Sequence, residues 1–272
     1  MVFAVFLLAG MTSNVFGIPV SGQGTWETTL QGRDLDGNPA TFEAWFDTVL
    51  GVTWFGDADY ARTVGAPEPD GRLTWFEAQS FITSLNSSTF LGFADWRSPT
   101  TAPINGAAFS SGSSFDGSTD GGYNISSAGS AFAGSVVNEM AHLFFNTLGN
   151  TAAFDLSGNP LPCGASNTDG CLVNTGPLSN FDIGDGYWTD VYVPTGNRAW
   201  AFNPTNGRQD VVSTAYHNST LLARTGDVVS QSIPEPTTTA LMALGIAGLG
   251  YKRRKFNGLE SAAHRSQPTA LT

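Results

Sequence analysis

Lysine is missing from the first 251 residues of this 272-residue chain, where seven arginines stand against 22 acidic residues, a net of −15. Such a surface repels DNA, RNA and other polyanions, so no nucleic-acid partner is expected. Charge of either sign is scarce, at 13% of residues against about 25% in an ordinary soluble domain. Two cysteines exclude a disulfide-dense scaffold, and three histidines leave little for a nitrogen-rich metal centre. No stretch reaches the ~20 apolar residues of a permanent membrane helix. There is no Gly-x-Ser-x-Gly elbow, no His-Glu-x-x-His pair and no phosphate loop. What is present is apolar mass: 41% of residues, with 19 Phe and 7 Trp, enough for a buried core. The 32 glycines, with abundant Ser, Thr and Asn, suit a loop-rich extracellular domain.

Both ends read as address labels. Val2 to Met11 is an unbroken apolar run, too short to span a bilayer but fitting the core of a secretory leader. Val15 and Gly17 are small residues at −3 and −1 of a cut before Ile18, although no basic residue precedes the run. At the other end, Pro234-Glu235-Pro236 is followed by an uncharged stretch from Thr237 to Tyr251 and then by Lys252-Arg253-Arg254-Lys255. The basic cluster prefers the cytoplasmic side, which places the body outside. As a helix, residues 237–251 reach only ~22 Å, short of a ~30 Å hydrocarbon core. That suits a temporary stop better than a permanent anchor. This order of features resembles a PEP-CTERM sorting signal. The resemblance implies export through the inner membrane of a Gram-negative bacterium that makes extracellular polysaccharide. It also implies transient anchoring, then recognition by an exosortase-type membrane peptidase. The tail from Phe256 to Thr272 departs from that pattern, which usually ends at the arginines.

Between the ends, local patterns predict strands over Thr25–Leu30, Thr41–Thr48 and Val52–Phe55. A helix is expected from Thr74 to about Leu85, opened by a Thr74/Glu77 capping box. A second is expected over Val136–Leu148, with Val136, Met140, Leu143, Phe144 and Leu148 on its apolar face. Tyr187–Val193, Arg198–Asn203, Gln209–Ser213 and Ser219–Arg224 read as late strands. Thr100–Ser135 reads as one long Gly/Ser-rich loop. Cys163 and Cys171, eight positions apart in an exported chain, are most simply a local disulfide worth about 2–3 kcal/mol.

A second resemblance rests on Gly51–Phe55 with Asp57–Tyr60, Leu73–Trp75 with Ala78, Gly92-Phe93-Ala94-Asp95-Trp96-Arg97-Ser98-Pro99-Thr100, Glu139–Phe144, Tyr187–Thr189 and Ala199–Phe202. Together they resemble an uncharacterised domain related to the C-terminal domain of a collagen-like bacterial adhesin, over about residues 45–228. Ser98, Thr189, Ala223 and Thr225 depart from its usual residues. The resemblance implies a single loop-rich, C-type-lectin-like α+β domain with two helices and a small, mostly antiparallel sheet. Its terminal strands would pair, and a long loop would carry any binding site. The expected layout is a signal peptide over 1–17, the body over 18–232, the sorting signal over 233–255 with its span at 237–251, and an unstructured tail over 256–272.

Candidate chemistry is modest. Asp95, Trp96 and Arg97, with Trp188, could stack on and hydrogen-bond a sugar. The competing reading pairs Arg97 with an acid and puts Trp96 in the core. Glu139 and His142 share a face at the i,i+3 spacing some metal sites use, but more ligands would be needed, and a polar helix face is the simpler reading. Asp116, Ser118 and Asp120 copy the first oxygens of a calcium loop, with Ser127 where the bidentate Glu belongs, so at most weak Ca²⁺ binding is expected and no other cofactor. Glu68-Pro69-Asp70 and Trp188-Thr189-Asp190 only partly echo lectin calcium motifs. Asp57/Asp59 and Asp182/Asp185 are carboxylate pairs with no motif around them. The expected function is a non-enzymatic surface or matrix protein associated with extracellular polysaccharide or adhesion. The alternatives are a secreted glycan hydrolase and a self-associating coat protein.

Overall fold

The computed structural model describes residues 18–228, apart from positions 66, 111, 166–169, 183 and 185. The expected leader over 1–17, the sorting residues Pro234, Glu235, Pro236, Lys252, Arg253, Arg254 and Lys255, the span 237–251 and the tail lie outside the described residues. Among the described residues no helix is long and apolar enough to cross a membrane.

The first element corrects an expectation. Trp26–Thr29 forms a helical turn (α1), and only then does strand β1, Leu30–Arg33, begin. The threonines favour strand locally, but the Thr25 carbonyl accepts the N–H groups of Thr28 and Thr29, which closes the turn. Glu27 secures its start by accepting from the Ser21 hydroxyl at 2.7 Å and the Gly22 N–H at 3.0 Å. Strands β2 (Ala44–Asp47) and β3 (Val52–Phe55) follow as an antiparallel hairpin. A short α2, Tyr60–Val64, ends at Gly65 with φ +62°, the left-handed cap that glycine tolerates. Helix α3, Trp75–Ser87, starts where the sequence places it. Thr74 Oγ1 accepts from the Glu77 N–H, and the Glu77 carboxylate accepts from the Thr74 N–H at 2.8 Å. Ala78, Phe81 and Ile82 face inward from it.

The expected long loop contains two short strands, β4 (Ser113–Ser114) and β5 (Gly121–Tyr123). The second helix is shorter than expected: α4, Glu139–His142, continues as a wide π-turn over Leu143–Thr147. Val136 lies outside it and is exposed. The Leu148 N–H reaches the Leu143 carbonyl at 2.8 Å, and the wider turn lets Leu143, Phe144, Phe145 and Thr147 all be buried. A turn α5, Pro162–Ala165, precedes strands β6 (Tyr187–Val193), β7 (Arg198–Asn203), β8 (Arg208–Ser213) and β9 (Ala223–Thr225).

These strands make two sheets where one was expected. The first has the order β1-β2-β3-β9 and the second β4-β5-β8-β7-β6, antiparallel throughout except β4 with β5. The last strand lies beside β3, so the N-terminal hairpin and the end of the body share a sheet. The architecture is α+β. Side chains alternate along the second sheet between two cores. Tyr187 and Phe202 enter the main cluster with Trp54, Phe144 and Leu148, whereas the neighbouring Trp188 and Ala201 enter a second with Leu73 and Phe81. Three indoles, Trp54, Trp188 and Trp200, are fully buried. Cys163 and Cys171 form the expected disulfide, with Cα atoms 4.9 Å apart.

Candidate functional site

Each residue of the Asp95-Trp96-Arg97 segment is tied into the fold. Trp96 is buried against Phe55 and Phe93, and its indole N–H donates to the Phe90 carbonyl at 3.2 Å. Arg97 forks onto the buried Glu139, both nitrogens 2.8 Å from the carboxylate oxygens, and Glu139 also accepts the Thr100 N–H at 2.7 Å. The backbone of Arg97 pairs both ways with Ala223. Asp95 binds Arg224 through two contacts of 2.9 and 2.8 Å, and Arg224 lies 4.2 Å from the Phe93 ring centre. Trp188 is fully buried with its N–H on the Leu73 carbonyl. Neither indole offers a face to a ligand, because both fill core volume. The expectation of a polar helix face at Glu139 and His142 is also corrected. Both are buried, Glu139 under Arg97 and His142 with Nδ1 3.0 Å from the Ser135 carbonyl.

The calcium-like loop is divided. Asp120 is fully buried and spends one oxygen on the Ile104 N–H (2.5 Å) and the other on the Ser110 N–H (2.7 Å). Asp116 is exposed and accepts the Ser118 N–H in a local turn. Asp120 holds the loop to the body, a backbone role invisible in the spacing.

What the sequence reading missed is a groove of about 240 Å³ on the outer side of β7 and β8. Alternation along β8 points Arg208, Asp210 and Val212 into it while Gln209 is buried behind. Asn203, Asn206 and Asn218 complete its polar lining, and Tyr216, 61% exposed, stands at its wall. Asn203 and Asn206 line the groove while their side-chain oxygens accept the N–H groups of Thr205 (2.8 Å) and Arg208 (3.0 Å). Arg208 reaches Asp210 at 2.6 Å. Nearby rings extend the surface. Trp75 donates its backbone N–H to Thr214, just past β8, and its ring stacks on Tyr192 at 5.3 Å, with half-exposed Phe76 edge-on at 5.1 Å. The signals that could have marked this groove are the Asn203–Gly207 turn and the alternating Arg208, Asp210 and Val212.

Two acidic groupings also stand out. Asp34, Asp36 and Glu43 bring carboxylate oxygens within 4.8 Å of one another near the surface. Each already accepts a backbone N–H, from Gly37, Asn38 and Leu35. The second is Asp59 with Asp182. Burial first, then the charge of Asp182, pushes the Asp59 carboxyl up to about 7. Asp57, its neighbour, accepts instead from the Thr63 hydroxyl and the Asp59 N–H. Asp185 lies outside the described residues.

The comparisons with known proteins bear on the C-terminal end. Residues 232–255 match the family model of the PEP-CTERM protein-sorting motif. The chain carries a PEP-CTERM sorting motif. PEP-CTERM proteins are exosortase substrates, so the motif implies an exported protein sorted at its C-terminus, held briefly at the membrane before release to the surface. No curated protein and no solved structure matches the chain.

Proposed function

We propose that the body is a non-enzymatic surface or matrix protein that holds extracellular polysaccharide in the β7–β8 groove. The observation that carries this reading is the groove itself. Side-chain amides, a carboxylate and a guanidinium converge beside an exposed tyrosine, the mixture that hydrogen-bonds sugar hydroxyls and stacks on a sugar ring. The stacked Trp75 and Tyr192 with Phe76 would continue such a platform for a polymer. The resemblance to an adhesin's C-terminal domain and the sorting motif support the same setting, a protein delivered to an outer surface. The acidity of the body favours a neutral glycan over an anionic one, since like charge opposes approach. A hydrolytic reading finds less support, because in the pairs Asp57/Asp59 and Asp182/Asp185 the Asp59 carboxylate is fully buried and Asp182 nearly so.

The test is retention of the native host's extracellular polysaccharide by the full-length protein and by Tyr216→Ala and Asp210→Asn variants. Retention that falls in both variants supports the groove. Retention unchanged in both would move the site elsewhere. Glycan cleavage abolished by a single carboxylate change would replace the binding reading with an enzymatic one.

A further inference from the structure

The geometry points to a buried cation site between Asp59 and Asp182, filled by a divalent ion of the calcium type. Asp59 is fully buried, and neither of its carboxylate oxygens has a hydrogen-bond partner. On Asp182, Oδ1 accepts the Gly184 N–H at 2.7 Å, but Oδ2 is buried without one. Three orphaned carboxylate oxygens in one interior are unusual, because an unpaired buried charge is among the costliest features a fold can carry.

The backbone brings the two acids together. Asp57 and Ser179 form a parallel bridge, and the Ala58 N–H donates to the Ser179 carbonyl at 2.9 Å, so residues 57–59 run beside 179–182. The Tyr187 hydroxyl accepts the Asp182 N–H at 2.7 Å and closes the site from the core side. The charges facing Asp59 are Asp57, Arg62 and Asp182. Arg62 does not close the pair, standing 3.9 Å from Asp182 Oδ2 on a side chain 38% exposed.

A single shared proton would satisfy one O–H···O contact and leave one of the three oxygens unpaired. A divalent cation would draw on all three, and Ca²⁺, which takes about 6–8 oxygens, would need backbone carbonyls or water to complete its shell. The donors are oxygen only, which suits Ca²⁺ and disfavours zinc and other metals that seek nitrogen or sulfur. The Asp34/Asp36/Glu43 group has the opposite character, with each acid already holding a backbone N–H.

The experiment uses the full chain, with Asp59→Asn and Asp36→Asn as parallel variants. Thermal melting is followed in millimolar Ca²⁺ and in chelator, and Tb³⁺ luminescence sensitised by nearby aromatic rings reports occupancy directly. The expected result is a melting temperature several degrees higher in Ca²⁺ for the wild type and for Asp36→Asn. Asp59→Asn should lose both the shift and the Tb³⁺ signal that Ca²⁺ displaces. Asparagine is isosteric and uncharged, so that variant is expected to fold. Should it fail to fold, Ca²⁺-displaceable Tb³⁺ emission is read on Asp182→Asn, whose loss of signal supports the site. A wild type indifferent to Ca²⁺, or a response lost in Asp36→Asn and kept in Asp59→Asn, overturns the assignment. Failure here leaves the groove untouched, because Tyr216 and Asp210 are read out by polysaccharide retention alone.

Discussion

At Arg97 one guanidinium joins three parts of the chain: it forks onto Glu139, donates to the Ser98 carbonyl and reaches the Thr225 hydroxyl. Arg97→Ala would leave the Glu139 carboxylate nine-tenths hidden with one arm of its network gone. Loss of about 3–5 kcal/mol is expected, measured by denaturant unfolding. A double change of Arg97 and Glu139 to apolar residues of similar size should recover much of it, since the charge left unpaired is the main cost. Tyr216→Ala is the contrasting case. Its ring is exposed, so stability should move by no more than about 0.5 kcal/mol. Polysaccharide retention should drop by roughly 0.5–1.5 kcal/mol, the worth of one aromatic contact. A Tyr216→Ala protein that melts early but still retains polysaccharide would reverse both assignments.

Helix α3 was legible because its signal is local: Thr74 and Glu77 lie three residues apart and satisfy one another. Hydrogen bonds from Thr74 hold the Glu77 carboxyl below its ordinary range. Stability linked to a depressed carboxyl is present above the unfolded pKa and is lost as pH falls through the folded one. Thr74→Ala should therefore cost about 1 kcal/mol at neutral pH, and the difference should shrink in acid, as melting curves across pH would show. An equal cost at pH 3 would separate the cap from its ionised partner. The helix at Glu139 was misread for the converse reason. Its polar residues look solvated until Arg97, 42 positions earlier in sequence, is brought over them. The groove depends on the β7–β8 register, Phe202 opposite Gln209 and Ala201 opposite Asp210, which no short window contains. The disulfide was readable from compartment and spacing. Replacing Cys163 and Cys171 with serine should lower stability by about 2–3 kcal/mol, and an unchanged unfolding midpoint would make the bridge ornamental.

At the scale of the molecule, the body ends where the sorting apparatus begins. The compact unit closes at Val228, and the matched motif starts at residue 232. Two bidentate ion pairs hold the last strand and the residues just past it, Arg224 of β9 with Asp95 and Asp227 beyond it with Arg33, the latter at 2.6 and 2.8 Å. A chain held at the membrane through its C-terminus is thus fastened at the point where the tether leaves the fold. The uncharged stretch over 237–251 is too short for a comfortable permanent span. The central claim is that this protein is exported and released by processing at the sorting motif. Intact-mass measurement of the protein recovered from the native host tests it most directly. The mass should correspond to a chain that begins near Ile18 and lacks the segment after Pro236. A mature protein that still contains Thr237 to Thr272 would contradict the account.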